Sequence, residues 1–124
     1  MKRWSLIFQA LWELLRYDLI MALRGFRAVH HEVARLLPRQ PPRALDQAAV
    51  LDAAEFALSL YWKPVRCLQR SVATARLLRK FGIEGEVVIG CRPVPFTAHA
   101  WVEIDGRSCR GFPAFKQLAV IDRF

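Results

Sequence analysis

Between Trp4 and Leu37 apolar residues return every three or four positions, through Leu11, Leu14, Leu15, Leu19, Ala22, Leu23, Phe26 and Val29, the period of an α-helix with an apolar face. Gly25 interrupts that run, so the spacing predicts one helix or two. The stretch Pro38-Arg39-Gln40-Pro41-Pro42-Arg43 cannot extend it, because proline fixes φ and removes a backbone donor; it reads as a loop or an extended linker. Asp46 is placed to cap a helix reaching about Leu60, with Val50, Ala53, Ala54, Ala57, Leu58 and Tyr61 spaced toward a core. After Pro64 a further helix is predicted from Cys67 to Phe81, carrying Leu68, Val72, Ala75, Leu77 and Leu78 inward and Arg70, Arg76, Arg79 and Lys80 outward, with Gly82 ending it. The pattern then changes to alternation and β-branched runs. Glu86 to Gly90 and Phe96 to Ile104 read as strands, Asp105-Gly106 as a hairpin turn and Arg107 to Arg110 as the returning strand, whereas residues 111–124 have too little periodicity to assign.

A chain of 124 residues with 54% hydrophobic content can bury one core without disulfides or a metal. A single domain over residues 1–124 is expected, with a helical part over 1–40 and a core over 46–124. Cys67, Cys91 and Cys109 are an odd number of cysteines at wide spacings with no C-x-x-C pair, which opposes a disulfide framework or a zinc ribbon and favours a reduced, cytoplasmic setting. Met1-Lys2-Arg3 and the apolar run from Trp4 to Trp12 imitate a signal peptide, but Glu13, Arg16 and Asp18 break the run and no small-residue cleavage site follows. No uncharged stretch approaches the roughly 18 residues that span a bilayer.

The net charge of +8 suits nucleic acid, an anionic surface or an acidic peptide, and composition alone does not separate these. Nucleic acid is disfavoured, because aromatic residues are not interleaved with Lys and Arg on one sheet face and no module signature is present. Six basic residues lie between Lys63 and Lys80 with no acid among them, around Cys67; they are either a cationic environment for that thiol or a solvated helix face. Trp4, Phe8, Leu11, Trp12 and Leu15 form an apolar stripe whose commoner use is packing on the core and whose other uses are a partner or a membrane surface. His30 and His31 are adjacent on a helix, point in different directions, and cannot chelate as an i, i+4 pair does.

A thiol is a useful nucleophile as thiolate, and the N–H groups and macrodipole at a helix start favour that form. Cys67 is placed there, with Lys63, Arg66 and Arg70 nearby in sequence. A buried cysteine is more often a small apolar filler, and Cys91 and Cys109, with no helix end beside them, read that way. His99 lies in a predicted strand and shares a face with Trp101, opposite Ala98, Ala100 and Val102. Alone it reads equally as a core residue bonded to a carbonyl. A cysteine and a histidine joined through a helix-to-strand contact are the parts of a thiol nucleophile with its base.

Cys67-Leu68-Gln69-Arg70-Ser71, Leu77-Leu78-Arg79-Lys80-Phe81-Gly82-Ile83, Val88-Ile89-Gly90, Phe96 and His99-Ala100-Trp101-Val102-Glu103-Ile104-Asp105-Gly106 follow one another in an order and spacing that resembles the stand-alone leader peptidases of lasso-peptide biosynthesis. The resemblance covers about residues 46–110. It implies an α+β fold with a transglutaminase-like, papain-type cysteine peptidase core, N-terminal helices and a small antiparallel sheet. It implies removal of the leader from a ribosomally made precursor, with Cys67 as nucleophile and His99 as general base and acid, no cofactor and no metal. The partners it implies are the precursor's leader, a separate leader-recognition protein and a macrolactam-forming cyclase. The substrate would be an extended peptide in a groove between helix and sheet, with the basic surface attracting an acidic leader.

The third catalytic member does not carry over. The family pattern has an aspartate twelve residues after the histidine, and here that position is Gly111. Hairpin arithmetic puts Gly111 or Phe112 opposite His99. Asp105 is about 20 Å along the strand and Glu103 about 13 Å, both beyond hydrogen-bond reach at about 3.3 Å per residue. Asp122 is unconstrained, and a carbonyl or the Gln69 amide is the remaining candidate to orient the ring. The expectation is a Cys–His dyad; the alternative is a catalytically silent module that binds the precursor or a partner of the same assembly.

Overall fold

The computed structural model describes residues 3–38, 47–93, 96–109 and 119–124. The helices are α1 (Arg3–Arg24), α2 (Phe26–Ala34), α3 (Gln47–Leu60) and α4 (Cys67–Lys80), and the strands are β1 (Gly85–Pro93), β2 (Phe96–Ile104), β3 (Arg107–Ser108) and β4 (Ala119–Arg123). The described strands form an antiparallel sheet in the order β3-β2-β1-β4. The fold is therefore α+β. Gly25, at φ 83, separates α1 from α2, and its left-handed backbone is the physical reason for two helices instead of one. Gly82, at φ 85, follows α4 in the same way. Asp105 at φ 54 and Gly106 at φ 76 make the hairpin turn between β2 and β3. Asp46, Gly111 and most of the proline-rich stretch lie outside the described residues.

α4 is the centre of the molecule. It rests on β1 and β2, while α1 and α3 pack on its other sides. Val72, Ala75, Leu77 and Leu78 of α4 are buried with Leu6, Ile7 and Leu14 of α1, Val50 and Ala57 of α3, and Val87 and Val102 of the sheet. The expectation that Arg76 and Arg79 point outward is overturned: both are buried. Arg76 Nε donates to Glu13 Oε2 at 2.7 Å, and Lys80 reaches the other oxygen of the same carboxylate. Arg79 donates to the carbonyls of Val33 and Leu36 at the end of α2 and to that of Gly85, the last at 2.8 Å. These cations are interior because acids and carbonyls from distant segments meet them there.

β4 was not foreseen. It adds to the free edge of β1, and its Arg123 reaches across the sheet to Glu86 at 2.9 Å and Glu103 at 2.8 Å, two residues that face each other on β1 and β2. Gly85 marks the closest approach of the sheet to α4. A Cβ there would stand 2.8 Å from Leu78 Cδ1 and 3.3 Å from the Ala75 Cα, and Leu78 is fully buried and cannot swing away. Gly85→Ala is expected to destabilise the chain by about 1–3 kcal/mol, as overpacking does, read as a lowered urea midpoint.

Candidate functional site

Cys67 is the first residue of α4 and is exposed. Arg66, in extended backbone, precedes it and makes no side-chain cap, so no side chain of the N-cap residue takes up the N–H groups of the first turn. From Cys67 the face of α4 continues through Arg70, Ser71 and Thr74, the i, i+3, i+4, i+7 spacing of one helical side, and these four residues form one wall of a cleft of about 280 Å³. Leu51, Ala54, Glu55 and Leu58 of α3 form a second wall, largely apolar. The third is His99, Ala100, Trp101 and Val102 of β2. Cys67 and His99, more than thirty positions apart in the chain, thus line the same cleft.

The cations near Cys67 have other partners than expected. Lys63 Nζ lies 2.7 Å from Asp18 Oδ1, and Arg70 pairs with Glu55. With Arg76 and Lys80 sharing Glu13, three acids of α1 and α3 meet four of the six cations from Lys63 to Lys80, so the run keeps part of its positive charge. Two of the carboxylates considered for His99 are likewise engaged elsewhere, Glu103 accepting from Trp101 Nε1 at 2.8 Å and from Arg123, and Asp122 facing His30 Nε2 at 3.2 Å, while Asp105 is in the exposed turn. Arg123 and Trp101 outweigh the effect of burial and hold Glu103 below the usual carboxylate range. The Gln69 amide does not serve the imidazole. It is buried on the opposite side of α4 and donates at 3.0 Å to both Leu14 O and Asp18 Oδ2.

Sequence reasoning missed Asp18, Glu55 and Tyr61. Asp18 accepts from Tyr61 and Gln69 and pairs with Lys63, so one carboxylate of α1 ties down the segment leading into Cys67 and the first turn of α4. Burial pushes its pKa up, but the hydrogen bonds from Lys63, Tyr61 and Gln69 and the charge of Lys63 together prevail and lower it. A carboxyl with a folded pKa below its unfolded one stabilises the fold fully above the unfolded value and loses that contribution as pH falls through the folded one. Asp18→Asn should therefore lower the thermal midpoint at neutral pH, with the gap from wild type closing in acid below the usual carboxylate range. An unchanged gap across that titration would contradict the assignment. Tyr17, the neighbour of Asp18, is held above its ordinary pKa by burial first, then by the charges of Asp18 and Cys67. Cys109 lines the cleft too, partly buried against the core, and Cys91 is half-buried; none of the three cysteines is in a disulfide. Among the described residues no cluster of His, Cys, Asp and Glu could hold a metal ion.

Cys67 thus heads a helix that lies on an antiparallel sheet, and His99 comes from a strand of that sheet along the same cleft. The sequence profile of the transglutaminase-like superfamily matches residues 11–121, and the chain belongs to that superfamily. Its sequence is similar to the microcin J25-processing protein McjB of Escherichia coli, at 39% identity over 56 residues. That match covers 44% of this chain and 27% of the McjB length, so the chain aligns with about a quarter of that relative. No solved structure matches it.

Proposed function

We propose that this chain is a cysteine peptidase that removes the leader from a ribosomally made lasso-peptide precursor, with Cys67 as nucleophile and His99 as general base and acid. The observation that carries the reading is the shared cleft, in which the thiol at the tip of α4 and the imidazole of β2 are both lining groups. The similarity to a processing protein supports the substrate class. His99 accepts the thiol proton as sulfur attacks the scissile carbonyl, and the N–H groups of the first turn of α4 are the donors proposed for the oxyanion. His99 then returns the proton to the leaving amine, and water attacks the resulting thioester to release the acid and restore the thiol. The apolar wall of Leu51, Ala54 and Leu58 suits side chains of an extended peptide.

The test is to incubate the purified chain with a precursor and a leader-recognition protein and to follow release of the leader by mass spectrometry. Release that stops when Cys67 is alkylated supports the reading; an intact precursor under these conditions, with the precursor still retained by the chain, favours the silent binding module that Gly111 suggests.

A further inference from the structure

Of the apolar stripe of α1 only Leu11 packs on the core, and the stripe continues outward through Leu19 and Leu23. Trp4 is 59% exposed, Phe8 65%, Trp12 51%, Leu15 38%, Leu19 47% and Leu23 81%. At about 100° per residue these six fall within a sector about 100° wide, roughly opposite the one that carries the buried Leu6, Ile7, Ala10, Glu13 and Leu14. The helix, 22 residues and so about 33 Å long, is apolar on two opposite sides, and its core-facing side is already filled. Phe56 of α3 stands edge-on to Trp4 at 6.2 Å and widens the outer patch at one end.

Charge says what covers it. Both acids of α1 point away from the stripe: Glu13 is buried between Arg76 and Lys80, and Asp18 is engaged by Lys63, Tyr61 and Gln69. No exposed acid occurs from residue 3 to residue 31, the exposed acids near the patch being Asp52 and Glu55 beside Phe56, while Arg3, Arg24 and Arg27 are exposed near the two ends of α1 and form no ion pair among the described residues. Arg3 lies over the Phe56 ring, 5.1 Å from its centroid, so a cation sits at the aromatic end. An aromatic and leucine file with arginines at its ends is the composition of a helix that lies in a lipid interface. The shape agrees, since the stripe is the outer ridge of one helix and a bilayer yields to a ridge where a folded partner would need a matching groove.

We propose that α1 docks the protein on an anionic lipid surface, lying in the interfacial plane with Trp4, Phe8, Trp12, Leu15, Leu19 and Leu23 among the acyl-chain ends and Arg3, Arg24 and Arg27 at the phosphates. The helix lies on the bilayer and does not cross it, for no described helix is long and apolar enough to do so. The docking is independent of the cleft chemistry.

The experiment is co-sedimentation of the full chain with vesicles of phosphatidylcholine containing phosphatidylglycerol, against phosphatidylcholine alone. Three arginines near an anionic leaflet should favour the mixed vesicles by on the order of a hundredfold, and salt should weaken the binding. Phe8→Glu and Trp12→Glu should abolish it with an unchanged circular dichroism spectrum and thermal midpoint, because both side chains are exposed, and Arg24→Gln with Arg27→Gln should weaken it only on anionic vesicles. The proposal is overturned if the wild type stays in the supernatant with mixed vesicles, or if the glutamate variants sediment as the wild type does. It is equally overturned if light scattering gives a wild-type dimer that Phe8→Glu converts to monomer, which would assign the stripe to a second copy.

Discussion

Cys67→Ala is expected to reduce leader release to the uncatalysed background, and His99→Ala to lower it by about 10²–10⁴-fold, the range over which a positioned general base acts. The two effects should not add. The imidazole works on the proton of that one sulfur, so once the thiol is gone there is nothing left for it to activate, and the double variant should be no slower than Cys67→Ala alone. Cys109→Ala is the control, since it removes a thiol from the same cleft that has no helix end beneath it. Retained cleavage in Cys67→Ala, or equal losses from Cys109→Ala and Cys67→Ala, would remove the assignment. Because Cys67 is exposed and His99 half-buried, neither alanine should change the thermal midpoint enough to mimic inactivation.

Glu13→Leu should be the most destabilising single change on α1, lowering stability by about 3–5 kcal/mol, the usual cost of stranding one half of a buried ion pair. Glu13 has no side-chain exposure, and its carboxylate is the shared partner of Arg76, itself nearly enclosed, and Lys80. Lys80 is partly exposed and can turn to water when the carboxylate goes; Arg76 cannot. The companion variant Glu13→Leu with Arg76→Met should recover most of the loss, because two apolar side chains of similar volume replace a desolvated pair. Urea denaturation of the single and double variants measures both terms. An additive double variant would show that the pair is not energetically coupled in the folded state.

The four helices and the β2–β3 turn were legible because each has a local cause: a 3.6-residue apolar period, a glycine at positive φ, and an Asp-Gly turn. Cys67 and His99 were legible for a related reason, one heading a helix and the other in a recognisable strand, so that topology alone was needed to join them. The misses are of a different kind. Ala119 to Arg123 is an edge strand with little buried surface, so it carries no alternation from which a strand could be inferred. Arg76 and Arg79 looked like surface residues because their partners, Glu13, Glu32 O and the end of α2, lie some forty to sixty positions away. Asp18 and Glu55 escaped notice on the same ground: a carboxylate acquires its role here from a contact across helices, which leaves no mark on nearby sequence. α1 shows a further limit. It is apolar on both sides, and a period identifies the sides without choosing which one enters the core.

The arginine that bridges Glu86 and Glu103 bears on how the sheet comes together. Those two glutamates are direct cross-strand partners, so a hairpin of β1 and β2 by itself sets like charges against each other at the end nearest its turn with β3. The guanidinium of β4 stands between them and offsets that repulsion in the complete sheet. The first two strands are thus a self-repelling half-sheet waiting for a segment from the far end of the chain. The pairing of β4 with β1 joins positions about thirty apart in the sequence, a non-local contact of the kind that slows assembly.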